Sequence, residues 1–322
     1  MTESVRLQSS APRAIGHPDG DARGPAVRRR GVLGLLAVGA ATFVRPPGPR
    51  PGSQVVVGHT QLPSPNTTWR AFAITPTRAV LLMQNLPRTG LAARDGASGG
   101  AVQLASTTVR TGTARLTVPM ASGSTRAVRV EDLGFSLPVT LSTTSAALAG
   151  SPWILVNKRN PLSSGFVPTG LVTVEGVQLR STVAQSYSQF KAAASASGHS
   201  LRLKSGYRSY ASQAALYNQD VARYGRAGAD QRTARAGYSE HQTGLALDLA
   251  ISAGTSVATW VAANSHRFGF VVRYETGQQA VTGYQYEPWH LRHVGTTLAG
   301  QYRAWGMRSL EAMLGLPAAP TY

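Results

Sequence analysis

Acidic side chains are scarce in this sequence, with 14 Asp and Glu among 322 residues, so carboxylates close to histidines stand out. Ser239-Glu240-His241 is followed by Gln242-Thr243-Gly244 and then, after Leu245-Ala246-Leu247, by Asp248. Further along comes Glu287-Pro288-Trp289-His290. Two imidazoles and one carboxylate can hold zinc and leave a fourth position for water. Zinc lowers the pKa of that water to about 7. A carboxylate outside the ligand set can then take the proton and pass it to a departing amine. His241, Asp248 and His290 suit the ligand roles, and Glu287 suits the base. Spacing alone also permits a plainer reading, in which these are ordinary polar residues near strand ends.

The elements that carry these residues must bend. His241 and Asp248 are seven positions apart, so a continuous strand would point them to opposite faces. Gly244 offers the bend that brings them together, and Pro288 interrupts regular structure between Glu287 and His290. Upstream, Leu179, Val183, Tyr187, Phe190 and Ala194 recur at helical spacing, which predicts a helix from Val177 to Ser197 stopped by Gly198. Leu201 and Leu203 then alternate as a short strand leading into Ser205-Gly206-Tyr207-Arg208-Ser209. Ser209 caps a second expected helix, Tyr210 to Tyr224, closed by Gly225. Gly244 to Ile251 reads as a strand, Val257 to Phe268 as a helix and Gly269 to Tyr274 as another strand. Helices mixed irregularly with short strands predict an α+β fold: a small, mainly antiparallel sheet flanked by helices.

The remainder of the chain is organised differently. Residues 1–52 hold a polar start, then Arg28-Arg29-Arg30 before an apolar stretch from Gly31 to Val44, then a Pro/Gly-rich break. That is the layout of an export signal, and the Arg pair resembles a twin-arginine signal. The apolar stretch is too short to span a bilayer comfortably. Residues 53–150 are rich in Thr, Val, Ser and Ala. Thr113–Val118 and Arg126–Val130 alternate with period two, as half-buried strands do, which predicts a β-rich module. It carries no chemistry, since Asp95, Glu131 and Asp132 are its only acids. Residues 151–322 form the third expected segment. Cys is absent, which excludes disulfides, thiolate metal sites and a Cys nucleophile. The formal charge of +18 favours anionic surroundings such as a cell-wall polymer. The excess is spread along the chain without a basic tail, and a nucleic-acid partner is not expected.

The two motifs point to a family. SEHQTGLALD fits the pattern Ser-x-His-x-x-Gly-x-Ala-x-Asp and EPWH fits Glu-x-Trp-His, so the segment from about 151 to 315 resembles the VanY-like zinc D-alanyl-D-alanine carboxypeptidases. Related D-Ala-D-Ala dipeptidases, L,D-carboxypeptidases and endolysin peptidases share that core. Val156-Asn157-Lys158-Arg159-Asn160-Pro161-Leu162, Ser205–Tyr210 with Gln213, and Thr282-Gly283-Tyr284 look like further landmarks. The resemblance implies Zn2+ on His241, Asp248 and His290, with Glu287 as general base and acid. It implies Arg208 as a catalytic guanidinium gripping or polarising the substrate, and Ser239, Gln213 and Trp289 as substrate-binding positions. The implied substrate is a peptidoglycan stem peptide ending in D-Ala-D-Ala. An L,D-carboxypeptidase, a peptidoglycan endopeptidase or an inactive wall-binding module would share the same motifs.

A serine route to the same chemistry is the main competitor. Ser188-Gln189-Phe190-Lys191 fits Ser-x-x-Lys, and Lys204-Ser205-Gly206 resembles the Lys-Thr-Gly strand of penicillin-binding enzymes. The two pieces are too close for the helical region that should separate them. Ser188 and Lys191 also suit the polar side of an amphipathic helix.

Overall fold

The computed structural model describes residues 67–322, apart from 87–91, 96–97, 99–101, 103–105, 111 and 133–134. The expected export segment lies outside the described residues. The described residues fall in one compact unit, and among them no helix is long and apolar enough to cross a membrane.

Seven strands come first: β1 (Thr68–Thr75), β2 (Arg78–Gln84), β3 (Ala92–Asp95), β4 (Ser106–Arg110), β5 (Thr113–Pro119), β6 (Thr125–Asp132) and β7 (Phe135–Ser142). They pair antiparallel in two sheets, β1-β2-β5-β4 and β3-β6-β7. One hydrophobic core joins the sheets, with Leu81, Met83 and Leu116 on one side and Val128, Val130, Leu137 and Val139 on the other. In β6 the expected half-burial holds: Val128 and Val130 are buried and Arg129 is exposed. Strand β5 departs from it, because Arg115 and Thr117 are buried as well. Alternation marks two faces but does not say that one of them meets water.

A short helix, α1 (Ser145–Gly150), capped by Thr144, leads into the remainder. A hairpin of β8 (Leu171–Val174) and β9 (Val177–Arg180) precedes α2 (Ser181–Ala196). The helix expected from Val177 therefore starts four residues later, since Val177–Arg180 pair with Leu171–Val174 instead. Then come β10 (Leu203–Ser205) and α3 (Tyr210–Asp230). Ser209 caps α3 by accepting a hydrogen bond from the Ser212 N–H, and Gly225 breaks it with φ of 68°. Strand β11 (Ala246–Leu249), α4 (Ser256–Asn264) with a 3-10 turn to Phe268, β12 (Phe270–Tyr274) and α5 (Gln279–Thr282) follow. Strand β13 (Glu287–His293), α6 (Thr296–Ala304) and α7 (Leu310–Leu314) complete the chain.

The central sheet runs β10-β11-β13-β12, all antiparallel, which gives the expected α+β core. One face carries Leu247, Leu249, Val272 and Leu291 into a core with Val183, Tyr187 and Phe190 of α2 and Val261 of α4. The opposite parity carries Asp248, Arg273, His290 and Arg292. A third core links the β-rich strands to this unit: Ile74, Val80 and Leu82 pack with Trp153, Leu155, Val271, Val294, Leu298 and Met313. Across the same seam, Arg115 donates to the carbonyls of Ala312 and Met313, and Thr117 Oγ1 donates to that of Leu314. The sheet β1-β2-β5-β4 is thus covered on both faces, and the boundary expected near residue 150 is bridged by shared packing.

Candidate metal centre

Three local devices bring the expected ligands to one point. The first is a 3-10 turn, Glu240–Thr243, that presents His241. Ser239 caps it, its Oγ accepting from the His241 N–H at 3.3 Å. Gly244 ends it in the left-handed region, φ 66°, which a side chain rarely adopts. The second is register: Asp248 of β11 lies directly opposite His290 of β13, so both leave the sheet on one side. The third is an irregularity in β13. Val272 pairs with Leu291 and Tyr274 with Glu287, so Pro288, Trp289 and His290 together face one residue of β12. The extra residues let Glu287 and His290 share a side although three positions separate them.

The ligand atoms of His241, Asp248 and His290 lie within 4.8 Å of one another. His241 Nε2 is 3.3 Å from Asp248 Oδ2, and His290 Nδ1 is 3.4 Å from Asp248 Oδ1. His241 Nδ1 sits 2.7 Å from the Gly206 carbonyl. Donation to that carbonyl fixes the tautomer and leaves Nε2 bare toward the cluster. Gly206 itself is required by packing, since a Cβ there would fall 2.4 Å from the Gln178 carbonyl oxygen. Asp248 Oδ1 is buried with no hydrogen-bond partner, which a cation would supply. Two imidazoles and a carboxylate, nearly dry and held by one turn and one strand pair, fit a zinc-type ion.

The electrostatics separate the two carboxylates. Burial opposes the Asp248 charge, but His241, His290 and Arg208 outweigh it and hold the group at about 2. Glu287 goes the other way. Burial and then the Asp248 charge push it up to about 8, with Arg208 and Lys204 pulling back only in part. One carboxylate is thus set to stay ionised and the other to exchange a proton near neutrality. Glu287 Oε2 lies 3.6 Å from His290 Nδ1, beside the cluster.

A cavity of about 270 Å³ opens over these groups. Every residue expected in the site lines it: Arg208, Gln213, Ser239, His241, Asp248, Glu287, Trp289 and His290. Gln213 is committed to structure, however. Its Oε1 accepts from Arg208 Nη1 at 2.8 Å and its Nε2 donates to the Ala234 carbonyl at 2.7 Å. Its effect on a ligand therefore runs through Arg208, which is also tethered to Ser205 Oγ at 2.9 Å.

Two contributors escape the sequence reading. Tyr274, expected at the end of a strand with no role, walls the cavity, its ring 4.9 Å from that of His290. Glu240, quoted in the motif without a function, is wholly buried behind His290 and pairs with Arg273 and Arg292. A carboxylate next to a ligand in sequence was the available signal. The competing Ser-x-x-Lys residues make no site: Ser188 Oγ donates to the Ala184 carbonyl, and Lys191 pairs with Glu175. His293 is packed inside, against Phe270 and 3.0 Å from Ser186 Oγ.

Residues 176–296 match the family described as VanY, D-alanyl-D-alanine carboxypeptidase, a span that includes both motifs. The chain is 33% identical over 175 residues to a D-alanyl-D-alanine carboxypeptidase of Enterococcus faecalis, covering 50% of this chain and 65% of that one. It is 31% identical over 157 residues to VanXYC of Enterococcus gallinarum, a bifunctional D-Ala-D-Ala dipeptidase and carboxypeptidase, covering 44% of this chain and 82% of that one. The chain spans less than two thirds of the length of several other curated relatives it matches. Among solved structures it is similar to a vancomycin-resistance D,D-pentapeptidase VanY variant in complex with Zn(II). That likeness has 33% identity and a TM-score of 0.46, over 50% of this chain and 97% of the other. With the motifs converging in space and most of VanXYC aligned at this identity, the chain belongs to the VanY family of D-alanyl-D-alanine carboxypeptidases.

Proposed function

We propose that this protein is a zinc-dependent D,D-carboxypeptidase that removes the terminal D-Ala from peptidoglycan stem peptides. The observation that carries the reading is the convergence of His241, Asp248 and His290 beside a carboxyl, Glu287, held near neutrality. The VanY match and the D-Ala-D-Ala enzymes among the relatives support the substrate class.

His241 Nε2, an oxygen of Asp248 and His290 Nδ1 would hold the ion. Zinc bound there supplies a Lewis acid for the scissile carbonyl and acidifies a water molecule. Glu287 takes the proton of the attacking water on its carboxylate and returns it to the nitrogen of the departing D-Ala. Arg208, presented by Gln213 and Ser205, offers its guanidinium to the substrate carboxylate or to the carbonyl oxygen as charge develops there. Ser239 and Trp289 shape the cavity wall around the D-Ala end.

Mass spectrometry of a stem pentapeptide and a tetrapeptide after incubation with zinc-loaded protein tests the bond preference. Loss of one D-Ala from the pentapeptide is expected, and cleavage of the tetrapeptide alone would overturn the D,D assignment. Replacing Glu287 with Ala should lower turnover by about 10²–10⁴ while zinc content stays at the wild-type level.

The Arg28–Arg30 cluster and the apolar stretch after it support export across the cytoplasmic membrane, by the twin-arginine route, to an anionic wall that the net charge of +18 favours. Fractionation of cells carrying Arg29→Lys with Arg30→Lys tests this, since that variant should remain inside.

A further inference from the structure

Behind His290 lies a set of ions with no contact to the cavity. Glu240, Arg273, Arg292 and Glu311 are each at most 1% exposed. Glu240 Oε1 accepts from Arg273 Nε at 2.9 Å and from Arg292 Nη1 at 3.0 Å. Arg273 also donates to both oxygens of Glu311, at 3.0 and 2.7 Å, and Asn157 Nδ2 donates to Glu311 Oε1. One oxygen of Glu240 is thus claimed twice. Its other oxygen, Oε2, is buried with no hydrogen-bond partner, and so is His290 Nε2. These two unpartnered atoms face each other at 3.7 Å. One is an acceptor only, and the other becomes a donor if its nitrogen carries the ring proton.

We infer that Glu240 is the positioning residue of the metal centre: its Oε2 holds the proton of His290 on Nε2 and so keeps Nδ1 bare on the side of Asp248 and Glu287. This rests on the reading of His290 as a metal ligand. The two guanidiniums fix which oxygen does the work, because both donate to Oε1 and leave Oε2 to the imidazole.

The same arrangement makes Glu240→Gln an inverting change. The Gln carbonyl must occupy the Oε1 position to satisfy Arg273 and Arg292, so its NH2 points at His290 Nε2. A donor there favours the opposite tautomer, with the ring proton on Nδ1, where a cation should sit. Zinc affinity, measured by chelator competition on the full chain, should fall about 10–100-fold. Glu311→Gln disturbs the same buried ions without facing His290, and its zinc affinity should stay within about twofold of wild type, the resolution of such a titration. An equal loss in both variants would assign the effect to the buried ions in general and overturn the inference, as would wild-type affinity in Glu240→Gln. If Glu240→Gln does not fold, the zinc-loaded wild type decides by ¹⁵N NMR. Its His290 should show a downfield, hydrogen-bonded Nε2–H, and ligation through Nε2 or an unshifted N–H overturns the proposal. Failure of the wild type to bind zinc, or undiminished binding in His290→Ala, would instead overturn the ligand reading itself.

Discussion

The sheet β1-β2-β5-β4 and the sheet β10-β11-β13-β12, which carries the candidate metal centre, are both four-stranded and antiparallel, yet they meet burial in opposite ways. In the first, aliphatic residues fill both sides: Leu81 and Met83 face one core, Val80 and Leu82 another. The polar exceptions on β5, Arg115 and Thr117, donate to carbonyls of α7. In the second, one face is aliphatic and the other holds two buried carboxylates against two buried guanidiniums. Burial works against the Arg273 charge, and Glu311 and Glu240 overcome it. The same backbone pattern can therefore shelter a featureless core or a charged one. The charged one persists because each ion has an opposite neighbour.

That contrast can be broken by substitution. Arg273→Met removes one guanidinium and leaves Glu240 and Glu311 under-paired, and should cost about 3–5 kcal/mol of unfolding free energy in urea titration. A near-neutral result would mean that the sheet β10-β11-β13-β12 is held by its aliphatic face alone. Leu116→Ala, wholly buried in the first sheet, should cost about 3 kcal/mol through lost burial and a cavity. It should leave zinc affinity unchanged, and a parallel loss of metal would show that the two sheets are energetically one.

A third effect has the opposite sign and depends on pH. Glu287 ionises near 8 in the folded chain against an ordinary 4.5. Below 4.5 both folded and unfolded chains hold the proton and nothing is lost. Between 4.5 and 8 the unfolded chain releases a proton that the folded one keeps, so stability declines as pH rises. In metal-free protein, Glu287→Gln should therefore gain about 4 kcal/mol at pH 8 and nothing at pH 4. An equal difference at both pH values would show that Glu287 titrates as an ordinary carboxylate.

The metal centre was legible because its chemistry uses scarce residue types. His241, Asp248, Glu287 and His290 stand out in an acid-poor chain, and Gly244 announced the bend it makes. What stayed hidden depends on partners far away in sequence. Glu240 gains its role from Arg273 and Arg292, 33 and 52 positions on. Arg115 and Thr117 looked solvent-facing until α7, almost two hundred residues later, closed over them. Gln213 lines the cavity as expected, but sequence cannot show that both ends of its amide are already engaged. The start of α2 was misplaced for a different reason: Leu179 and Val183 are spaced as in a helix, but Leu179 reaches the same core from a hairpin strand.

The seam between the β-rich strands and the part that carries the candidate metal centre bears on how the protein can be trimmed. The side chains Trp153, Leu155, Val271, Val294 and Leu298 would lose the cover of Ile74, Val80 and Leu82 if the chain were begun at residue 151. Such a minimal fragment would carry a greasy patch, and light scattering should reveal self-association at concentrations where the longer chain stays monodisperse. Soluble expression of residues 151–322 alone would call for polar replacements along that seam.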